Sequence, residues 1–308
     1  MAENKNFFIG IDSGGTKFDI IITDTQKNIL FSSKYPSCHY SVHGAEETAK
    51  VLSGYVLKSI SKKRLKIENC AGICFGIAGA REEFDRKKLQ KLFKSKLKVN
   101  NIVVVTDAMN AITGAFDGGD GIILIAGTGS VLYGKYKGKL QRVGGWGRIL
   151  GDQGSGFIIG KSALRELVKE YDRRPLANNK ESVFSKLVSK RFGITSNSIV
   201  DKVFAKNFEL QRVCETVMEA AEQNDKVCLK IIRESVEELL ENIRLYLKLS
   251  KVKEKIKLAF IGSVIENDNV LSNQLRKGIK RELKNVSVVP KKNEPTMGAI
   301  HIAIGAAN

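Results

Sequence analysis

The sequence predicts an α/β protein assembled from two copies of one domain type, and three observations carry that expectation. Short apolar runs of strand length, such as Ile9–Ile11, Val103–Val105 and Ile122–Ala126, are separated by stretches with helical spacing. A Gly/Thr turn between apolar strands occurs twice, as Asp12-Ser13-Gly14-Gly15-Thr16 and as Gly127-Thr128-Gly129-Ser130, with Thr16 and Thr128 112 residues apart. The 308 residues supply roughly two domain lengths.

The elements follow in order. Asn6–Ile11, Lys17–Thr23 and Ile29–Ser33 read as a three-strand meander, with a polar turn at Thr25–Asn28. Ala45, Ala49, Leu52, Val56 and Ile60 fall on one helical face. A strand at Gly72–Ile77, a basic helix at Arg86–Lys96 and a strand at Ile102–Thr106 lead into Asp107. After Gly121 the opening pattern recurs, with strands at Ile122–Ala126, Val131–Tyr133 and Leu140–Val143. Cys228, Ile232, Val236, Leu239, Ile243 and Leu247 predict one long buried helical stripe. A strand at Ile256–Ile261 runs into Gly262, and Thr296 is expected to cap a last helix with Met297, Ile300 and Ile304 on its apolar face.

Composition excludes several classes. With 43% hydrophobic and 27% charged residues the chain is globular in type, and 4 prolines leave no room for a Pro-rich linker. No apolar run approaches the ~18 residues of a membrane span. Asp12 interrupts the first apolar stretch, so a secretory signal is not expected. Five cysteines, odd in number and free of Cys-x-x-Cys, read as reduced thiols and point to the cytoplasm. The net charge of +18 favours anionic company. The basic residues sit in short clusters without interleaved aromatics, however, which reads as solvated helix faces and not as a nucleic-acid groove.

Glycine is concentrated: fifteen of the 28 lie between Gly114 and Gly160. Glycine turns beside Thr and Ser hydroxyls suit phosphate oxygens, because backbone N–H groups approach them closely. The plain alternative is ordinary tight turns, against which stands the matched pair. Two familiar nucleotide loops are excluded. A P-loop fails at Ser155, and a Rossmann fingerprint fails at Leu132, where the third glycine belongs. Asp107 stands at the C-terminal end of an apolar strand, where open α/β sheets place ligands; it reads either as a base or as the cap of the following helix. Gly144-Gly145-Trp146-Gly147, followed by Asp152, offers an indole face and a carboxylate suited to a sugar, or simply a loop anchored by one aromatic. The histidines His39, His43 and His301 have no metal-ligand spacing with cysteines.

From Phe8 to about Ile304 the chain resembles the BadF/BadG/BcrA/BcrD-type ATPase family of the actin-like sugar kinase superfamily, in particular its N-acetylglucosamine kinases. The carriers are Ile9-Gly-Ile-Asp-Ser-Gly-Gly-Thr-Lys17, Gly76-Ile-Ala-Gly-Ala80, Val104-Val-Thr-Asp-Ala108, Ile125-Ala-Gly-Thr-Gly-Ser130, Gly144-Gly-Trp-Gly147 with Gly151-Asp-Gln-Gly154, and Phe260-Ile-Gly-Ser263. The resemblance implies two ribonuclease-H-like (actin-like ATPase) domains around a central cleft, residues 1–116 with 291–308 and residues 117–290. It implies an ATP- and Mg²⁺-dependent kinase acting on the 6-hydroxyl of N-acetylglucosamine, with N-acetylmuramic acid as a second substrate, and a homodimer.

Residue by residue, it makes Asp12, Ser13, Gly14, Gly15, Thr16 and Lys17 the first phosphate loop, with Asp12 holding magnesium through water. Gly127, Thr128, Gly129 and Ser130 become the second loop, and Gly262 and Ser263 lie under the adenosine. Asp107 becomes the general base in preference to a cap. Cys38, His39, Gly79, Gly145, Trp146, Gly147 and Asp152 would line the sugar pocket. The family's kinases carry Asn before His39; this chain has Cys38 there. Other branches predict other features. One is a glucosamine kinase. Another is an activator of radical dehydratases, whose shared iron–sulfur cluster would have to use Cys214 and Cys228, since Cys70 and Cys74 are too far apart on a strand, up to ~13 Å. The repressor-kinase branch carries a cysteine-rich zinc segment, which this sequence lacks.

Overall fold

The computed structural model describes residues 6–14, 17–176, 180–206 and 208–307. The first strands form where aromatic and β-branched residues alternate with residues of smaller demand: β1 (Phe7–Ser13), β2 (Lys17–Asp24) and β3 (Ile29–Pro36) pair antiparallel. The chain then alternates helix and strand through α1 (Tyr40–Lys62), β4 (Cys70–Ile77), α2 (Glu83–Leu97), β5 (Ile102–Val105) and α3 (Asp107–Ala115). The pattern restarts with β6 (Gly121–Ala126), β7 (Ser130–Tyr136) and β8 (Lys139–Gly144). A helical stretch follows: α4 (Gly156–Arg173), α5 (Val183–Phe192), α6 (Cys214–Glu222) and α7 (Lys226–Leu249). The end comprises β9 (Ile256–Ile261), α8 (Val270–Glu282), β10 (Val286–Val288) and α9 (Pro295–Ala307).

The chain divides into two compact units, Met1–Asp120 with Pro290–Asn308, and Gly121–Val289. Each is an α/β unit around one mixed five-stranded sheet, and the strand order repeats: β3-β2-β1-β4-β5 in the first, β8-β7-β6-β9-β10 in the second. In both, a meander of three antiparallel strands continues into two parallel ones. The parallel strands need crossover helices, which cover the sheet and explain why their residues are apolar on both faces. Ile73, Phe75 and Ile77 of β4 are buried on one face and Cys74 on the other, and Phe75 stacks on Phe93 of α2 at 3.8 Å between ring centroids.

Two details differ from the sequence expectation. The stripe of α7 closes on Tyr246, fully buried, and Leu247 is only partly buried, because α7 drifts against a strict 3.5-residue repeat. The last helix starts at Pro295 and not on a Thr296 cap; the Glu294 carbonyl accepts the N–H groups of Met297 and Gly298. Its buried face is built from Gly298, Ala299, Ile300 and Ala303. Small residues there permit close approach: a Cβ on Gly298 would lie 2.0 Å from the Asn110 carbonyl oxygen of α3, and one on Gly10 of β1 would lie 2.3 Å from that of Thr296. This tight contact sets the position of α3, whose first turn carries Asp107.

Candidate active site

In the first unit, the C-terminal ends of β1, β4 and β5 converge on a small group of polar side chains. Asp12 sits near the end of β1, opposite Asp19 of β2 in the register. Burial, together with the negative charges of Asp107 and Asp19, pushes the Asp12 carboxyl up to about 7, against the stabilising hydrogen bond from Asn110. Asn110, fully buried on α3, donates its amide to the Ile11 carbonyl at 2.8 Å and to Asp12 Oδ1 at 3.3 Å. Lys17 pairs with Asp19 at 2.6 Å, while Asp19 Oδ1 is buried without a hydrogen-bond partner among the described residues. Gly14 is held by Ser37, whose hydroxyl donates to its carbonyl at 2.8 Å, and the Ser13 carbonyl accepts the Ala78 N–H at 2.9 Å. Gly15 and Thr16 lie outside the described residues.

Asp107 is the first residue of α3 and not its cap. Thr106 takes the capping position, its hydroxyl accepting the Met109 N–H at 3.3 Å. Asp107 Oδ1 accepts the Ala108 N–H at 3.0 Å, and burial raises the carboxyl above its ordinary value, opposed by that hydrogen bond and by the charges of Arg81 and His39. A carboxylate freed from capping and held at a helix N-terminus can take a proton from a bound hydroxyl.

His39 caps α1, its Nδ1 accepting the Ser41 N–H at 3.3 Å. Gly79, at φ +88°, sits so close that a Cβ there would meet Ser41 Oγ at 2.7 Å and His39 Cε1 at 3.2 Å. Cys38 departs from the expected role. Its side chain is 5% exposed, joins the core cluster under α1 and places Sγ 4.0 Å from Thr48 Oγ1. Just past the end of β3, the residue between Ser37 and His39 turns inward, and its side chain packs in the core.

The second unit holds the matched turn. Gly127 N–H donates to the Gly129 carbonyl at 2.9 Å, and the N-terminus of α4 rests on this turn through Gly156 N–H to the Gly127 carbonyl at 2.8 Å. Ser130 is buried, its hydroxyl donating to the Gln153 carbonyl at 2.6 Å. Gly262, at φ +100°, faces the Ala126 carbonyl at a separation that leaves 2.5 Å for a Cβ, so only glycine fits. Gly127, Thr128 and Ser263 line a cavity of about 740 Å³ with residues of α5, α6 and the segment before α6, among them Arg191, Arg212 and Glu215. Its size and mixed lining suit a nucleotide.

Asp152 braces two loops of this unit. Its Oδ1 accepts the Gly147 N–H at 3.0 Å, while Oδ2 faces Gly129 so closely that a Cβ there would lie 2.6 Å away. Trp146 is 67% exposed, with the Arg142 guanidinium 4.4 Å over its ring. Gly144, Gly145 and Gly147 around it all adopt positive φ.

Asn110, Asp19 and Arg81 were not singled out from sequence; the only hint was Asn110 lying three residues after Asp107, on the same helical face. Cys214 and Cys228 are buried in the helical layer, where burial pushes the Cys214 thiol up to about 12 and raises that of Cys228 further. A cluster shared between chains needs such ligands at a surface.

Residues 9–307 match the model of the BadF/BadG/BcrA/BcrD ATPase family. The chain belongs to the BadF/BadG/BcrA/BcrD ATPase family. Within it, the likeness is full-length: the N-acetylmuramic acid/N-acetylglucosamine kinase of Clostridium acetobutylicum is 31% identical over 300 residues, 96% of this chain and 98% of that protein. The N-acetyl-D-glucosamine kinase of Dictyostelium discoideum is 29% identical over 322 residues, covering 98% and 99%. Among solved structures, a candidate N-acetylglucosamine kinase of Chromobacterium violaceum aligns with a TM-score of 0.71 at 19% identity, over 99% of this chain and all of that one. A ROK family glucokinase of Streptomyces griseus, in complex with glucose and AMPPNP, aligns at 0.56 and 17% identity, over 97% and 98% of the two chains. These structures share the actin-like ATPase fold with this BadF/BadG/BcrA/BcrD family member.

Proposed function

We propose that this protein is an ATP-dependent amino-sugar kinase that phosphorylates the 6-hydroxyl of N-acetylglucosamine and also accepts N-acetylmuramic acid, as a cytoplasmic homodimer. The observation that carries the reading is Asp107: a half-buried carboxylate just beyond the end of β5, relieved of capping by Thr106, with Asp12 as its acidic neighbour. The full-length likeness to two amino-sugar kinases supports the substrate class.

Asp107 accepts the proton of the 6-hydroxyl as its oxygen attacks the γ-phosphorus and the bond from that phosphorus to the bridging oxygen breaks, releasing ADP; general-base catalysis contributes ~10²–10⁴-fold. Asn110 fixes the orientation of Asp12. The first loop, of which residues 12–14 and 17 are described, and the second, residues 127–130, are assigned to the phosphate oxygens. The cavity beside Gly262 and Ser263 takes the nucleoside. Gly145, Trp146, Gly147, Asp152, His39 and Gly79 are assigned to the sugar.

The residues fit magnesium. Asp12 is half-buried among like charges and Asp19 Oδ1 has no partner, while no three His, Cys, Asp or Glu side chains among the described residues could hold a metal ion by themselves. That is the sparse protein contribution expected where phosphates and water complete the shell. Asp12 would hold the ion through water, and its charge would offset that of the phosphates.

An ATP-consumption assay across N-acetylglucosamine, N-acetylmuramic acid, glucosamine and glucose tests the reading. Turnover is expected with the first two; consumption stimulated by glucosamine or glucose alone would displace it.

A further inference from the structure

The turn between β4 and α2 is fixed by its backbone. Ala78 N–H donates to the Ser13 carbonyl and Arg81 N–H to that of Gly79, each at 2.9 Å. Arg86 of α2 donates its guanidinium to the Ala80 carbonyl at 3.0 Å and also to that of Arg81. The turn therefore presents the Arg81 side chain from a held position, at the end of a strand that pairs with β5. That side chain is exposed and forms no ion pair among the described residues. On a chain at +18 an exposed arginine is unexceptional; what sets Arg81 apart is its neighbour. Gly76 of β4 lies in register with Val105 of β5, two residues before Asp107, so this turn follows the strand end beside that carboxylate, and the His39 ring lies against Gly79 in the same turn. The charges of both basic groups act to lower the Asp107 carboxyl. The surroundings of Asp107 thus combine one acidic group, Asp12, with two basic ones.

Neither basic group is needed to hold Asp107, which is oriented by the N–H of Ala108. Nor does a neutral sugar call for a formal positive charge. A guanidinium without a partner offers two parallel donors to a carboxylate, the geometry for which arginine is best suited.

We infer that Arg81, with His39 beside it, is the recognition group for a carboxylate carried by the sugar, so that this chain selects 3-O-carboxyalkyl amino sugars, of which N-acetylmuramic acid is the type. The inference rests on the kinase reading above. Arg81 is here a specificity residue. The proton transfer remains with Asp107.

The test compares kcat/KM for N-acetylmuramic acid and N-acetylglucosamine in the wild type, Arg81→Ala, Arg81→Lys and His39→Gln. Loss of a hydrogen bond to a charged group corresponds to roughly 10- to 100-fold, so the ratio of the acidic to the neutral sugar should fall by about that factor in Arg81→Ala. Arg81→Lys should recover part of it, His39→Gln should lower it less, and added salt should lower it in the wild type. A ratio unchanged in Arg81→Ala overturns the inference, including the case in which both sugars slow equally, which would assign Arg81 to phosphate. A wild type that phosphorylates N-acetylglucosamine but not N-acetylmuramic acid overturns it while leaving the kinase reading intact. Turnover of neither sugar removes both.

Discussion

Replacing Asp107 by Asn should lower kcat by ~10²–10⁴-fold while nucleotide binding to the second unit persists. Asn keeps the shape of the side chain and can still take the Ala108 N–H that now reaches Oδ1 at 3.0 Å. It cannot accept a hydroxyl proton. The wild-type pH profile carries the same information. Burial raises the Asp107 carboxyl above 3.8, and the base must be ionised to work, so kcat/KM should fall as pH drops through a value above that of an ordinary aspartate. A variant within tenfold of the wild-type rate would remove Asp107 from the role of base.

The second large effect is expected at Asn110, which touches no substrate. Asn110→Ala deletes the donor to Ile11 and to Asp12 and leaves the Ile11 carbonyl without its side-chain partner. An unsatisfied buried group costs about 1–3 kcal/mol, and a hydrogen bond to a charged group is worth about 1.5–3 kcal/mol. Urea unfolding should therefore show a loss of about 1–3 kcal/mol, and turnover should fall roughly 10- to 100-fold even at temperatures where the variant is fully folded. Stability lost with turnover unchanged would make Asn110 a packing residue and leave Asp12 without its orienting partner.

The two effects differ in how far they could be read in advance. Asp107 was visible because the apolar strand Ile102–Val105 ends just before it, with only Thr106 between, and position at a strand end is a local signal. The duplicated Gly/Thr turns were visible for the same reason, and the repeated strand order bears out the repeat they announced. Asn110 was not legible, because the Asp12 it orients lies 98 residues away in the chain and no spacing rule joins them. The same holds for the cavity of the second unit, whose walls come from α5 and α6: helical periodicity reports which face is buried and nothing about which polar residues share a pocket. Cys38 shows the converse error. A loop position was expected to line the sugar pocket, yet the side chain packs into the core beneath α1, while Ser37 bonds the Gly14 carbonyl and His39 caps α1. Strand β10, with only three residues, is too short for any alternation to announce it.

We propose that Asp107 directs phosphate to the 6-oxygen of an amino sugar. Phosphorus–proton correlation by NMR of the product formed from ATP and N-acetylglucosamine tests it most directly. The expected product is a phosphate ester coupled to the two protons on carbon 6, formed by the wild type and slowed by ~10²–10⁴-fold in Asp107→Asn. Release of inorganic phosphate without a sugar ester, or an ester at another carbon, would contradict it.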